Sequence, residues 1–251
     1  MEKEKRVIRL EPNGPGGRGL AEMKCDPKDF DSPIPTQNLH VYFDDPEAGF
    51  SVGVWDTTSM QEAFGPYPGD EFIWVLQGEF QMLDGNGDAV KCPNNSCVAF
   101  RNAAPVSWKQ EGYLKKFYIT YVDPKAETPK IDSAKGAIRV LDPDVTLEVM
   151  ENTEPFEIEG AAPLQRNHTL FTNDAETFFV GTWESGPMVS KMRPFPTHEF
   201  VRMLQGEVTI TEEDGTEQTF KANDCFFVPK GTVCSWSIPK RVKKHYAILD
   251  V

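Results

Sequence analysis

The chain has 251 residues, and its 39 acidic side chains outnumber its 26 lysines and arginines, giving a formal net charge of −13. This excess of negative charge repels nucleic-acid backbones and anionic membrane surfaces, so neither is an expected partner. With 39% hydrophobic and 11% aromatic residues the composition is not that of a disordered protein, and no apolar run reaches the roughly 18 residues of a membrane-spanning helix.

The N-terminal stretch MEKEKRVIRL mixes both charge signs and has no apolar segment of signal-peptide length. A cytoplasmic location is therefore expected. A short β-like run at residues 6–10 precedes a glycine- and proline-rich tract, which predicts an arm with loops. The five cysteines are odd in number and form no Cys-x-x-Cys pair, which favours reduced thiols over a disulfide framework.

Short apolar runs separated by turn residues follow in chain order. FSVGVWDTT leads through a proline-containing loop to EFIWVLQGEFQML, then through the turn DGNG to CVAF, VSWKQ and KKFYITYV. None of these runs has helical periodicity. Evenly spaced short strands of this kind predict an all-β sandwich or barrel.

The same pattern occurs a second time. PGDEFIWVLQGE at 68–79 is matched by PTHEFVRMLQGE at 196–207, an offset of 128 residues. The offset holds without a gap from Phe50 to Val122, and about 21 of the 73 residue pairs are identical. The sequence therefore predicts two copies of one unit.

The repeat also suggests domain boundaries. We predict an N-terminal domain at 1–122 that includes the arm, a linker at 123–137 and a C-terminal domain at 138–251. The linker, DPKAETPKIDSAKGA, has no periodicity. After it, IRVLDPD resembles VIRLEPN of the N-terminus, so each unit is expected to begin with its own arm.

A glutamate followed seven residues later by glycine occurs in both copies, as Glu71 with Gly78 and Glu199 with Gly206. Together with NDCFFVPKG at 223–231, this resembles the two sequence motifs of the cupin superfamily. The resemblance implies two tandem jelly-roll barrels (RmlC-like, a bicupin) over about residues 38–122 and 166–251. The WDTT/WESG and LQGE segments are most similar to the two-cupin subgroup of ureidoglycine aminohydrolases.

Metal-dependent cupins resemble one another in a His-x-His pair before the motif glutamate and in a later histidine. The residues at these positions here are Gly65, Tyr67 and Val106 in the first copy and Arg193, Phe195 and Cys234 in the second. One carboxylate per barrel falls short of the three or four protein ligands of a usual transition-metal site. No metal or other cofactor is therefore expected, a Mn, Fe, Ni or Zn ion being the alternative. True ureidoglycine aminohydrolase activity is not expected, because its Glu, His, His and Gln ligands are not reproduced.

Strand alternation places Glu71 on one face with Ile73 and Val75, and the resemblance implies that this face points into the barrel. A poorly solvated carboxyl group there could act as a general acid or base. Alternatively, it accepts hydrogen bonds from the lysine or tyrosine of the last strand and only ties the barrel together. Ligand-binding candidates expected at the same barrel mouth are Tyr67, Arg101, Trp108 and Gln110. The arginine favours an anionic ligand such as a small carboxylate.

The second copy offers Glu199 as the equivalent catalytic candidate. Its ligand-binding candidates are Arg193, Cys234, Trp236 and His245. Cys234 beside an arginine could be an activated thiolate, although a buried thiol is more often inert. His198 adjoins Glu199 in sequence, but strand alternation turns it to the opposite face.

Three functions fit these residues. The first is a metal-free bicupin that binds a small polar or carboxylate metabolite. The second is a divergent cupin enzyme, an isomerase, lyase or hydrolase that uses Glu71 or Glu199 for proton transfer. The third is a structural or oligomerisation module. The expected partner is a small molecule, and the chain is expected to be a monomer or a homodimer.

Overall fold

The computed structural model describes residues 5–251, and its regular structure is almost entirely β, with two short 3-10 helices at Pro15–Gly17 and Pro27–Asp29. The strands of the first half are β1 (Ile8–Leu10), β2 (Ala21–Met23), β3 (Gln37–Asp45), β4 (Phe50–Thr57), β5 (Met60–Gln61), β6 (Gly65–Pro66), β7 (Asp70–Gln77), β8 (Phe80–Leu83), β9 (Ala89–Cys92), β10 (Cys97–Phe100), β11 (Pro105–Gln110) and β12 (Leu114–Tyr121).

The strands of the second half are β13 (Ile138–Val140), β14 (Glu148–Val149), β15 (Gln165–Thr172), β16 (Phe178–Ser185), β17 (Met188–Val189), β18 (Arg193–Pro194), β19 (His198–Gln205), β20 (Glu207–Glu212), β21 (Glu217–Lys221), β22 (Cys225–Val228), β23 (Val233–Ile238) and β24 (Val242–Leu249). The predicted all-β class is confirmed. Among the described residues, no helix has the length and apolar character to cross a membrane.

The chain forms two compact units. The N-terminal unit is Leu10–Leu141, and the described part of the C-terminal unit is residues 5–9 with Asp142–Val251. In the N-terminal unit a seven-stranded sheet has the order β13-β10-β7-β12-β4-β3-β2, and a five-stranded sheet has the order β5-β11-β8-β9 with β6 beside β11. Side chains of both sheets form one core, which is the arrangement of a jelly roll.

The C-terminal unit has the same arrangement. Its large sheet has the order β1-β22-β19-β24-β16-β15-β14, and its small sheet has the order β17-β23-β20-β21 with β18 beside β23. The long central strands recur at the offset read from the sequence, because β4, β7 and β12 begin 128 residues before β16, β19 and β24. The strand architecture therefore repeats with the sequence.

The first strand of each half, β1 or β13, joins the sheet of the other unit, whereas the sequence had predicted that it joins the sheet of its own half. The prediction placed residues 1–122 in one domain and 138–251 in the other. Residues 1–4 lie outside the described part of the chain, but β1 lies beside β22 in the C-terminal sheet, and β13 pairs with β10 in the N-terminal sheet. Strands β10 and β22 would otherwise be sheet edges, and an added strand supplies partners for their backbone N–H and C=O groups.

The motif glycines have a backbone role. Gly78 and Gly206 have φ values of 81° and 79°, and an added Cβ would lie 2.3 Å from the Tyr113 carbonyl oxygen or 1.9 Å from that of Arg241. Only glycine fits such a turn. Asn95 and Asn223, which replace the opening glycine of the second motif, also have positive φ, a conformation that asparagine tolerates. These residues fix the turns that hold β7 and β19 in place.

Candidate functional site

Glu71 lies inside the N-terminal barrel, on β7. Ile73 and Val75, on the same face of this strand, belong to the core between the two sheets, whereas their neighbours Phe72 and Trp74 do not. The Glu71 residue is only 6% exposed. Strand alternation predicted that these three residues share a face, and the inward direction implied by the cupin resemblance is the one observed.

The Glu71 carboxylate is held by two donors. The Lys116 ammonium on β12 lies 2.8 Å from Oε1, and the Tyr67 hydroxyl donates to Oε2. Burial, together with the Glu71 charge and hydrogen bond, raises the pKa of Tyr67 well above its usual value, so this phenol remains a donor. The sequence left two roles open for Glu71, proton transfer or a structural hydrogen bond to the lysine or tyrosine of the last strand. The hydrogen bond to the lysine of the last strand is present.

Aromatic rings surround the Lys116 ammonium. Its Nζ lies 5.2 Å from the ring centroid of Trp55 and 5.0 Å from that of Trp108. These two indoles meet edge to face at 6.1 Å. Cation–π attraction to both rings stabilises the charged lysine within the barrel.

This polar cluster opens on a cavity of about 320 Å³. Its apolar wall is formed by Met23, Leu39, Trp55, Met60, Pro68 and Trp108. Its polar lining consists of Gln37, Ser51, Glu62, Tyr67, Glu71, Lys116, Tyr118 and Thr120. A cavity with an apolar wall on which polar groups converge is a usual form of a small-molecule site.

Glu62 is the one acidic residue of this cavity that the sequence analysis missed. It follows β5, where its backbone N–H donates to the Trp108 carbonyl at 2.9 Å and its carbonyl accepts from the Ser107 hydroxyl at 2.6 Å. Burial raises the pKa of Glu62 to about 7. The positive charge of Lys116 lowers this pKa, and the negative charges of Glu71 and Asp29 raise it. Glu62 lies two residues after the buried Met60, so the alternation of side chains along a strand could have indicated that it points inward. The repeat gives no such signal, because the residue 128 positions after Glu62 is Ser190, which is not acidic.

The C-terminal barrel contains the same ion pair in a closed environment. Lys244 Nζ lies 2.7 Å from Glu199 Oε1, and the two side chains are 4% and 3% exposed. Burial lowers the pKa of Lys244, whereas the Glu199 carboxylate acts in the opposite direction. The Lys244 Nζ lies 4.8 Å from the ring centroid of Trp183 and 4.7 Å from that of Trp236. These indoles correspond to Trp55 and Trp108, which lie beside Lys116.

Two phenylalanines cover this second pair. Phe195 replaces Tyr67 and stacks on Trp236 at 5.7 Å, and Phe156 contacts the same indole edge to face at 5.2 Å. The residue 128 positions before Phe156 is Lys28, whose side chain is 78% exposed. Phe156 therefore contributes an aromatic ring beside the Lys244 ammonium, where the N-terminal barrel has the exposed Lys28 in its place.

The candidates of the first copy do not all meet at the cavity. Tyr67 and Trp108 line it with Glu71. Gln110 lies behind the wall, where it accepts from the Trp108 indole N–H at 3.0 Å and donates to the Thr58 and Gly112 carbonyls. Arg101 is not among the lining residues. The cation that lines the cavity is Lys116, so an anionic ligand held there by Arg101 has no support in the structure.

The candidates of the second copy are spread over different environments. Arg193 is 40% exposed and donates to Glu157 at 2.7 Å. Trp236 lies in the core beside Lys244. His245 is on the face of β24 opposite to Lys244, where its Nδ1 lies 2.9 Å from the Thr182 hydroxyl. Because adjacent strand residues point to opposite faces, His245 does not join Glu199.

Cys234 is buried, and burial raises the pKa of its thiol to about 11. An activated thiolate would need a lowered value. We expect Cys234 in the native protein to react with iodoacetamide at about pH 8 roughly 100-fold more slowly than an ordinary exposed thiol. Mass spectrometry of labelled peptides would measure this, with the unfolded protein, in which all five cysteines react, as the control. Rapid native labelling of Cys234 would contradict the prediction.

A larger groove of about 570 Å³ lies elsewhere on the N-terminal unit, lined in part by Glu79, Lys91, Lys109 and Glu111. Three of these charged residues, Glu79, Lys91 and Glu111, are exposed to solvent. The buried Gln110 amide in its wall is already engaged with Trp108, Thr58 and Gly112. The smaller cavity is the better candidate because its charged groups are desolvated and converge.

The residues at the motif glutamates do not fit a metal ion. Within residues 5–251, no group of three or more His, Cys, Asp and Glu side chains is arranged to hold one. In each barrel a lysine ammonium already lies within 2.8 Å of the glutamate oxygen that a metal would use. A second cation at the same oxygen would be repelled at short range.

Comparison with known proteins supports the fold. The family model of the EutQ-like cupin domain matches residues 172–246, and no curated protein matches the chain. A DUF861-family protein of unknown function from Pseudomonas syringae pv. tomato is similar in structure, with a TM-score of 0.78 and 22% identity over 98% of this chain and 100% of its own. A cupin 2 conserved barrel domain protein from Leptotrichia buccalis has a TM-score of 0.54 and 11% identity over 87% and 90%. Ylba from E. coli, also of DUF861, has a TM-score of 0.54 and 11% identity over 99% and 92%. At these identities the similarity establishes the cupin fold and no activity.

Proposed function

We propose that the protein is a two-cupin small-molecule-binding protein in which the N-terminal barrel binds one small polar metabolite and the C-terminal barrel is a closed structural copy. The observation that carries this proposal is the difference between the two lysine–glutamate pairs. Glu71 and Lys116 line an open cavity of about 320 Å³, whereas Phe156 and Phe195 pack beside Glu199 and Lys244. Because the ion pair is common to both barrels, it is the open space beside the first pair that indicates binding.

The size and lining of the cavity limit the ligand. About 320 Å³ is near the lower end of the volumes of small-molecule sites. Trp55 and Trp108 provide flat apolar walls, and the hydroxyl groups of Ser51 and Thr120 provide hydrogen-bonding groups. A small molecule with a short apolar part and one or two polar groups satisfies both kinds of surface.

The repeat supports placing the chain with two-cupin proteins of the ureidoglycine aminohydrolase-like subgroup, but not with their activity. In both barrels a lysine contacts the glutamate at which that resemblance would place a metal. Binding without a resident metal is therefore the function we propose for the cavity.

Filling the cavity tests this function. We expect Leu39→Trp, which places an indole in the cavity wall, to weaken binding of a hit from a panel of small amines, amides, carboxylates and polyols by at least about tenfold. Thermal shift would identify the hit, and isothermal titration calorimetry would give its Kd. Val41→Trp is the matched control, because Val41 is 40% exposed on the same strand and is not part of the lining.

Two results would count against the proposal. One is that no member of the panel stabilises the protein. The other is that Leu39→Trp and Val41→Trp bind the hit equally well, which would place the ligand outside the cavity.

A further inference from the structure

Glu62 differs from Glu71 in having no partner for its carboxyl group. Glu71 accepts from Lys116 and Tyr67, so both of its oxygens are occupied. Within residues 5–251, no donor forms a hydrogen bond to the Glu62 carboxyl, although the side chain lines the cavity. A half-buried acid without a protein donor is unfavourable unless something else supplies one.

The charged groups around Glu62 do not neutralise the negative charge of its carboxylate. The groups that act on it are Lys116 on β12, Glu71 on β7 and Asp29 at the end of a 3-10 helix. Lys116 lies 2.8 Å from Glu71, so this cation is already paired. An ionised Glu62 would therefore be the excess charge of the cavity, and a positive group on the ligand would balance it.

Resting on the proposed function, we propose that the cavity binds a small molecule that presents a protonated amine to Glu62. The ammonium group donates to the free carboxylate, and the short apolar part of the ligand lies against Met60, Trp55 and Trp108. A simple carboxylate would instead bring a third negative group beside Glu62 and Glu71.

The C-terminal barrel supports this role for Glu62. Its counterpart there is Ser190, whose hydroxyl accepts from the Trp236 backbone N–H at 2.8 Å. The barrel that is closed by Phe156 and Phe195 thus has a satisfied hydroxyl group, and the barrel with a cavity has an unsatisfied acid. The acid and the open space occur together.

Binding should depend on the ionisation of Glu62. Burial raises the pKa of this carboxyl to about 7, whereas an alkylamine stays protonated throughout the neutral range, as a lysine side chain does. An ammonium ligand favours the ionised carboxylate, so its affinity rises as pH increases through about 7. At that pH, binding releases roughly half a proton.

Three probes with one carbon skeleton test the proposal: n-butylamine, butyramide and butyrate. Binding would be followed through the indole N–H signals of protein labelled with 15N-tryptophan, in which Trp55 and Trp108 report on the cavity and Trp183 and Trp236 on the other barrel. We expect n-butylamine to shift the signals of Trp55 and Trp108 with a Kd at least about tenfold lower than that of butyrate. Its affinity should rise roughly 10- to 30-fold between about pH 5.5 and about pH 8.5.

Glu62→Gln keeps the shape of the side chain and removes its charge. In this variant the preference for n-butylamine over butyrate and the pH dependence should both disappear. Calorimetry in two buffers of different ionisation enthalpy should also show no proton release. The indole signal of Trp74, which lies in the same unit as Glu62 but outside the cavity, would show by its unchanged position that the N-terminal barrel of the variant remains folded.

The outcomes separate this inference from the proposed function. If butyrate or butyramide binds at Trp55 and Trp108 as tightly as n-butylamine does, or if Glu62→Gln keeps the amine preference, the inference is overturned and the binding function stands. If no probe and no member of the metabolite panel shifts these two signals, both are overturned.

Discussion

Replacing Lys244 with methionine is expected to lower the free energy of unfolding of the C-terminal unit by about 3–5 kcal/mol. The ammonium lies among Phe156, Trp183 and Trp236 and is the hydrogen-bonding partner of Glu199, whose side chain is 3% exposed. Without the lysine, a carboxyl group would remain buried without a donor. Chemical denaturation followed by tryptophan fluorescence would measure the change.

Two further variants identify the cause of this loss. In Lys244→Met with Glu199→Leu, no buried charge remains, so most of the stability should return. Lys116→Met in the N-terminal barrel should cost less, about 1–3 kcal/mol, because Glu71 keeps the Tyr67 hydrogen bond and faces the cavity. If the double variant were as unstable as the single one, lost packing rather than an unpaired carboxylate would be responsible.

Acid should destabilise the C-terminal unit through His245. Burial, reinforced by the charges of Arg202 and Lys243, lowers the pKa of this imidazole to about 3. The unfolded chain binds the proton near pH 6.5, so the stabilisation is complete above that value and is lost as pH falls towards 3. We expect the free energy of unfolding to fall by about 2–3 kcal/mol between pH 7 and pH 4 from this group alone.

His245→Phe is the matched variant, because Phe117 occupies the same place in the N-terminal barrel. It removes the titrating group and leaves the Thr182 hydroxyl without its ring partner, so a loss of about 1 kcal/mol at all pH values is expected. The difference in unfolding free energy between wild type and variant, measured from pH 7 to pH 4, isolates the histidine. A constant difference over that range would contradict a neutral buried His245.

Local sequence signals predicted the strands well because they depend on short-range chemistry. Alternation placed Glu71 on one face with Ile73 and Val75, and positive φ explains why Gly78 and Gly206 recur. Two of the predicted ligand-binding residues, Tyr67 and Trp108, line the cavity with Glu71.

Other site features could not be predicted from these signals. Arg101 and Arg193 were predicted from their charge, yet Arg101 does not line the cavity and Arg193 pairs with Glu157. The cation observed at the motif glutamate is a lysine of the last strand in both barrels. Glu62 was missed because it has no acidic counterpart in the repeat. Phe156 precedes the matched strands, so nothing in its local sequence indicated that it packs against Trp236.

The sequence by itself determined that this chain is an all-β protein with a 128-residue repeat, because residue period and turn chemistry act between neighbouring residues and the offset is read directly from the two copies. That the two motif glutamates face barrel interiors was implied by the resemblance to cupins. Only the tertiary structure decided that β1 and β13 complete the sheet edges at β22 and β10, and that a cavity lies beside Glu71 whereas Phe156 packs beside Lys244. Edge pairing and cavity filling depend on side chains and strands far apart in sequence, so two copies with the same motif differ in the side chains that surround it.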